Sequence, residues 1–147
     1  KIKNMAKYEH PFTDTQEIFD KAIDATGLQN YMHITVLTNN KAKDLFKVNK
    51  ANELLKFRSG DDVIIVLNEK IFEQLTDEQK EVVAEQAIAY LSYDTENDKL
   101  VMTKPDFIEH TGILAKYGFE FVNVLKESIT TLFQVEKQAE EEDVQTT

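Results

Sequence analysis

The sequence predicts an α+β fold in which a small β-sheet of two to four strands packs against about five helices. Three observations predict it: two capping-box signals for helix starts, one continuous apolar run, and strand-like segments that precede most of the helical ones. Strands followed by helices, rather than alternating with them, favour a small sheet with the helices set apart from it. A length of 147 residues suits one domain.

The first half of the chain is expected to hold one helix and two or three strands. Residues 14–26 form the helix, with Thr13 and Gln16 as its capping box and Gly27 as its stop. Residues 31–38 (YMHITVLT) are rich in β-branched and aromatic side chains and predict a strand. Residues 41–49 fit no single period, and residues 52–58 are expected to be a further strand.

A turn of hairpin character is then expected at residues 59–62 (SGDD). The run Val63–Leu67 (VIIVL) is typical of a strand covered on both faces. A short helix follows over residues 68–75, and Thr76 with Gln79 forms a second capping box whose helix runs to about Ser92. Residues 100–103 are expected to form a short edge strand.

Two more helices are expected towards the C-terminus. Pro105 suits the first position of one, and Gly118 closes it. The last helix starts near Glu120, and its apolar residues recur every three or four positions, which predicts one face packed on the domain or a short coiled-coil seam. Residues 1–137 would form a single domain, with 138–147 as a disordered acidic tail. The predicted core residues are Val63, Ile64, Ile65, Val66, Val83, Ala87, Leu91 and Leu125.

The charge balance and the composition argue against several classes of protein. Lys and Arg number 17 against 27 Asp and Glu, so the formal net charge is −10. A chain this acidic repels a phosphate backbone, so we expect no direct nucleic-acid binding. No stretch reaches the roughly 18 apolar residues of a membrane span. The lack of Cys excludes disulfides and a cysteine nucleophile.

No short motif carries catalytic chemistry. The three histidines, His10, His33 and His110, lack the i, i+4 spacing of a zinc-binding helix, and we expect His110 on a solvated helix face. The four glycines stand alone, so no phosphate-binding loop is present, and no serine lies in a nucleophile elbow.

A longer arrangement is more informative. The apolar strand VIIVLNE leads to IFEQL, then to LTDEQK and an amphipathic helix. An Asp-containing loop, a short strand, the tripeptide PDF and the segment ending in KYG follow. In this order and spacing, over about residues 61–118, the chain resembles the putative phage metallopeptidase family, a small zincin-like group.

The resemblance implies a zinc site on the helix after the strand. There the family carries HExxH, two His ligands flanking a catalytic Glu, and a following His-Asp pair supplies a third ligand. In this chain Glu85 and Ala89 stand at the His positions, Gln86 at the catalytic Glu and Pro105 at the third ligand, while Asp106 is retained. Ala89 cannot ligate a metal and Gln86 cannot take a proton, so we expect no zinc, no other cofactor and no peptidase activity.

The leading hypothesis is therefore a catalytically inactive, metallopeptidase-like phage protein that binds a viral or host protein. It would act in the cytoplasm of the infected cell or in the virion, and the contact could also be between two copies of the chain. Candidate contact residues are the aromatic side chains of the last helix and an acidic loop. These residues are Phe119, Phe121, Phe133, Asp94, Glu96 and Asp98.

Two other hypotheses stay open. The net charge and the run of acidic residues 140–143 suggest an inhibitor or decoy that imitates the charge of DNA towards a basic host protein. An enzyme of another type could hold a divalent ion through the carboxylates of Glu85, Asp106 or Glu109.

Overall fold

The computed structural model describes residues 7–105 and 109–146, and side chains among them up to residue 142. This part of the chain has six α-helices and five strands, which confirms the α+β class. The helices are α1 (Thr13–Thr26), α2 (Glu53–Ser59), α3 (Glu69–Phe72), α4 (Asp77–Ile88), α5 (Thr111–Tyr117) and α6 (Phe119–Thr146). The strands are β1 (Ile34–Thr38), β2 (Phe46–Lys50), β3 (Val63–Leu67), β4 (Leu91–Asp94) and β5 (Lys99–Met102).

The apolar strand β3 is the centre of a three-stranded sheet. It pairs in parallel with β1 and antiparallel with β2, so that Ile65 lies between Val36 and Val48. Burial alternates along β3: Val63, Ile65 and Leu67 are fully buried, whereas Ile64 and Val66 are half-buried. The prediction that both faces are covered, with Ile64 and Val66 in the core, is therefore correct for one face only, because the other face is half-covered. The other six predicted core residues are buried.

Helices α1, α4 and α6 supply the layer that covers this face. The ring of Phe19 on α1 lies 5.8 Å from that of Phe72 on α3, and Val83 and Ala87 of α4 join the same cluster. Leu125 of α6 is 1% exposed within it. The apolar residues of the last helix therefore form one face that packs on the domain, as their spacing predicts.

The two predicted capping boxes have different outcomes. Thr76 accepts from the Gln79 N–H at 3.1 Å, and the Gln79 side chain accepts from the Thr76 N–H at 3.0 Å, as expected. Thr13, by contrast, is already the first residue of α1, and Phe12 is the N-cap without a side-chain cap. The predicted box there is wrong, because the Gln16 side chain bonds Asp20 instead.

Residues 52–58, expected as a strand, instead comprise the N-cap Asn52 and most of helix α2. The Asn52 side chain accepts from the Leu55 N–H at 2.8 Å, and Gly60 ends the helix in the left-handed region at φ 81°. Residues 59–62 are therefore the exit from a helix and not a hairpin turn. The local caps and the helix-forming residues between them outweigh the strand-like pattern.

The helix expected to run to Ser92 ends at Ile88, and residues 91–94 form β4. This strand pairs antiparallel with β5, with Tyr93 opposite Leu100. The predicted edge strand at 100–103 is thus present, shifted by one residue. Its hairpin partner β4 was missed because Leu91 and Ser92 continue the preceding helical pattern and residues 93–98 are mostly polar.

The C-terminal region differs from the prediction at both helices. Helix α5 begins at Thr111 rather than at Pro105, and Asp106 lies outside the described residues. Helix α6 continues to Thr146, so residues 138–146 are helical where the sequence predicts a disordered tail. Ala, Glu and Gln are strong helix formers, and extending an existing helix avoids the cost of nucleation.

Candidate functional site

Helices α1, α4 and α5 enclose a cleft of about 760 Å³. Three elements far apart in sequence thus form one concave surface. Lysines and carboxylates lie at its polar side, and its wall is largely apolar. The apolar wall includes Ile18, Ala22, Ala25, Ile88, Leu91 and Ile113.

Some of the positions that the resemblance assigns to the zinc site line this cleft. Glu85 and Ala89 both line it, one helical turn apart. Gln86 is half-buried and turns to a different partner, described below. Pro105 is half-buried and is absent from the lining. The structure therefore brings together two of the four positions at the cleft wall.

The Glu85 carboxylate is bound on both oxygens. Its Oε1 atom lies 2.8 Å from the Lys116 Nζ atom, and its Oε2 atom accepts from the Tyr117 hydroxyl. The hydrogen bond to Glu85 raises the pKa of Lys116. Burial raises the pKa of Tyr117, and the hydrogen bond to Glu85 adds to it. Helices α4 and α5 are thereby joined across the cleft by a charged contact.

Gln86 belongs to a second, buried network. Its side-chain N–H donates to the Glu109 Oε2 atom, and the Glu109 Oε1 atom accepts from the His110 backbone N–H at 2.9 Å. Glu109 is 7% exposed. The Gln86 amide, at the position that the resemblance gives to the catalytic glutamate, thus holds a buried carboxylate at the start of α5.

His110 is enclosed rather than solvated, so the sequence-based expectation for it is wrong. Its side chain is 11% exposed, and its ring meets the Tyr90 ring edge-on at 4.6 Å. The Nε2 atom lies 2.9 Å from the Thr103 carbonyl, which fits Nε2 as the donor. The Nδ1 atom lies 3.6 Å from the Glu109 Oε1 atom and has no hydrogen bond within the described part of the chain.

These residues do not fit a zinc site. Zinc in a peptidase needs three protein ligands and a base beside the bound water. Ala89 offers no donor atom, and the oxygens of Glu85 are held by Lys116 and Tyr117. Among residues 7–105 and 109–146, no group of three or more His, Cys, Asp or Glu is placed to hold a metal.

The predicted aromatic contact residues divide into two kinds. Phe121 and Phe133 are half-buried and pack against the core, and the Phe121 ring lies 5.8 Å from that of Tyr117. Phe119 at the start of α6 is 59% exposed. Packing within the domain thus accounts for two of the three rings.

The predicted acidic contact residues lie at the turn between β4 and β5. Asp94 accepts from the backbone N–H groups of Glu96 and Asn97 at 3.1 and 3.2 Å. Hydrogen bonds from Asn97 lower the pKa of Asp94. Asp98 accepts from the Tyr93 hydroxyl. Asp94 and Asp98 therefore organise the hairpin to which they belong.

Sequence reasoning missed the most exposed apolar side chains. Leu54 and Phe57 on α2 are 72% and 87% exposed. The signal was present, since Asn52 and Gly60 bracket seven residues as a helix cap and a helix stop. Reading residues 52–58 as a strand hid the fact that Leu54 and Phe57 share a face.

The comparisons with known proteins agree with the resemblance. A family model described as a putative phage metallopeptidase matches residues 7–130, well over half of the 147 residues. No curated protein and no solved structure matches the chain. Among the residues that the structure describes, we find no helix with the length and hydrophobicity of a membrane span. The chain belongs to the putative phage metallopeptidase family.

Proposed function

We propose that this chain is a member of the family without zinc-peptidase activity, and that its cleft binds a segment of another protein. The proposal rests on the contacts of Glu85, at the position that the resemblance gives to the first zinc ligand. Glu85 is bound by Lys116 and Tyr117 on both carboxylate oxygens. Because Glu85 is held by an ion pair and a hydrogen bond, and Ala89 has no donor atom, these two positions support a protein that has a cleft but no metal chemistry.

The shape of the cleft supports the binding part of the proposal. A volume of about 760 Å³ lies within the range of small-ligand sites and could receive a few side chains of a partner. Apolar walls favour apolar side chains, while Lys21 and Glu81 on the lining can orient polar groups. Gln86 is not a base, so we expect a bound segment to stay intact.

The alternative of an acidic DNA-like decoy has less support. Such a decoy needs carboxylates in spaced rows on one face. Asp94 and Asp98 are instead hydrogen-bonded within their own hairpin. The segment of residues 41–58 holds six of the 17 Lys and Arg and interrupts the acidic surface.

The loss of metal chemistry is tested by metal analysis of the purified protein. The chain is treated with a chelator, loaded with zinc and desalted, and its zinc content, thermal midpoint and hydrolysis of a casein substrate are measured. We expect no stoichiometric zinc, no rise in the midpoint and no hydrolysis, since a tightly bound ligand would stabilise the fold. About one zinc per chain, with a raised midpoint that Glu85→Gln abolishes, would overturn the proposal.

The binding part needs a separate test. Random peptides displayed on a carrier are panned against the full chain, and enriched peptides are tested by titration. We expect peptides with apolar side chains to bind the wild type and to lose binding to Ala25→Trp, which fills the cleft. The matched variant Ala115→Trp, at an exposed alanine outside the lining of the cleft, should bind as the wild type does. Equal binding by both variants would place the contact elsewhere.

A further inference from the structure

Helix α2 has no buried residue, although it carries large apolar side chains. Phe57 is 87% exposed and Leu54, one turn earlier, is 72% exposed. Surface helices of a domain ordinarily turn such residues inward. Single exposed apolar residues need no explanation, but a Leu and a Phe three positions apart lie on one helix face. The face formed by Leu54 and Phe57 is therefore a patch without cover in the described structure.

This patch lies in the basic part of an acidic chain. Residues 41–58 hold six Lys or Arg against two Asp or Glu, a net charge of +4, so the rest of the chain carries −14. Lys56 is paired with Asp62 at 2.9 Å. Lys50 and Arg58 lie within four residues of Leu54 or Phe57 in the sequence, are exposed, and form no ion pair with any described residue. The free positive charges favour an acidic occupant.

The end of α6 has the complementary character. An ion pair between Lys70 and Glu136 joins α6 to the body of the protein. Beyond it, residues 138–142 are all exposed and include Glu140, Glu141 and Glu142. Val135 is 56% exposed, and Ala139 lies one turn further along the same helix face. The last part of α6 with described side chains thus presents two exposed apolar residues and three carboxylates.

We infer that the α2 patch of one copy binds the acidic end of α6 of a second copy. Each copy carries both halves of the contact, and both are exposed in the single chain. A phosphate backbone also attracts Lys and Arg, but it offers no apolar side chains to cover Leu54 and Phe57. A second copy would cover the apolar side chains of the patch and neutralise the positive charges near it.

The contact is small, so the association is expected to be weak and sensitive to salt. Two apolar side chains and a few exposed charges make less than the about 1,200 Å² of a standard interface. Charges at such a rim are screened within about 10 Å at 0.1 M salt. Association should therefore weaken as ionic strength rises.

Sedimentation of the full chain across a range of concentrations tests the inference. We expect a concentration-dependent dimer or larger species at low salt, and a dissociation constant that rises by about tenfold or more in Phe57→Ser. Val124→Ser is the matched control, since Val124 is 51% exposed elsewhere on α6. Equal thermal midpoints for both variants show that folding is intact. If the wild type stays monomeric up to about 1 mM, its self-association is weaker than a millimolar dissociation constant, and the inference is overturned.

A charge exchange identifies the two halves. The variant Lys50→Glu/Arg58→Glu places acid against acid, and Glu140→Lys/Glu141→Lys places base against base, so each alone should be monomeric. An equimolar mixture restores both contacts and should associate about as strongly as the wild type. A mixture that stays monomeric overturns the assignment of the surfaces. So does a monomeric wild type that binds anionic lipid vesicles or RNA through Lys50 and Arg58.

Discussion

The backbone N–H of Phe12 donates to the Glu69 Oε2 atom at 2.9 Å, across 57 positions of the chain. Phe12 is the N-cap of α1, and Glu69 is the first residue of α3. Glu69 is 3% exposed. A buried carboxylate thus accepts from the N–H of the N-cap residue, as the side chain at the third helical position does in a capping box, and it fixes the start of α1 against the end of β3.

We predict that Glu69→Ala lowers the free energy of unfolding by about 1–3 kcal/mol, because it removes a buried charged acceptor and leaves the Phe12 N–H without its partner. Glu69→Gln keeps an acceptor and should cost less. Chemical denaturation measures both. Glu73→Ala, on the exposed side of the same region, is the control and should stay within about 0.5 kcal/mol of the wild type. Equal losses at both positions would contradict the role given to Glu69.

The alternation of burial along β3 gives a second prediction. Ile65 is fully buried, so Ile65→Ala should cost about 2–5 kcal/mol. Ile64 points to the half-covered face, and Ile64→Ala should cost clearly less. Denaturation of the two variants compares the faces of one strand with identical chemistry. A loss below about 1 kcal/mol for Ile65→Ala would mean that the sheet is not the centre of the core.

The elements predicted correctly are those whose signal is local and strong. The run Val63–Leu67 has no polar interruption, and Thr76 with Gln79 reproduces both hydrogen bonds of a capping box. Helix α6 presents its apolar residues at a helical period over many turns. In each case the information needed to form the element lies within the element.

The failures depend on partners that are distant in the chain or on weak local signals. Strand β4 is defined by its pairing with β5, and His110 is enclosed by Tyr90 and Thr103. The cleft lies between three helices, and no local pattern in the sequence predicts that these helices lie next to one another. The family could still be identified from the order of its elements, and the model match over residues 7–130 agrees with it.

A third prediction concerns acid stability. The Asp61 carboxylate accepts from the Thr35 hydroxyl at 2.6 Å and lies 2.7 Å from the His33 Nδ1 atom. Burial works to raise the pKa of Asp61, but the hydrogen bonds from Thr35 and His33 outweigh it and lower that pKa below 3.8. The ionised form is thus favoured by folding. Its contribution to stability is present above about pH 3.8 and is lost as the pH falls through the lowered pKa.

Asp61→Asn should therefore reduce the free energy of unfolding by about 1 kcal/mol at neutral pH, a figure that allows for partial solvent screening. The difference from the wild type should shrink as the pH falls well below 3.8, where the wild-type carboxylate is also neutral. Denaturation at a series of pH values measures it, with the exposed Asp44→Asn as control. A difference that is constant with pH would show that ionisation of Asp61 is not the cause.

The last prediction concerns Tyr93 in the β4–β5 hairpin. Its hydroxyl donates to Asp98, and its ring stacks on that of Tyr31 at 4.8 Å. The hydrogen bond to Asp98, with smaller effects of burial and nearby carboxylates, raises the pKa of Tyr93 to about 12. Folding favours the neutral phenol here, so the contribution to stability is present below about pH 10 and is lost as the pH rises through about 12.

Asp98→Asn should move the pKa of Tyr93 down towards 10.0, because the carboxylate that holds the phenol proton is gone. Ultraviolet absorbance of the phenolate follows the titration, and the difference between wild type and Tyr93→Phe isolates this residue among the five tyrosines. Glu96→Gln, an exposed change in the same turn, should leave the high pKa in place. If Glu96→Gln lowered the Tyr93 pKa as much as Asp98→Asn does, the general negative charge of the turn would be responsible, and the hydrogen bond to Asp98 would not.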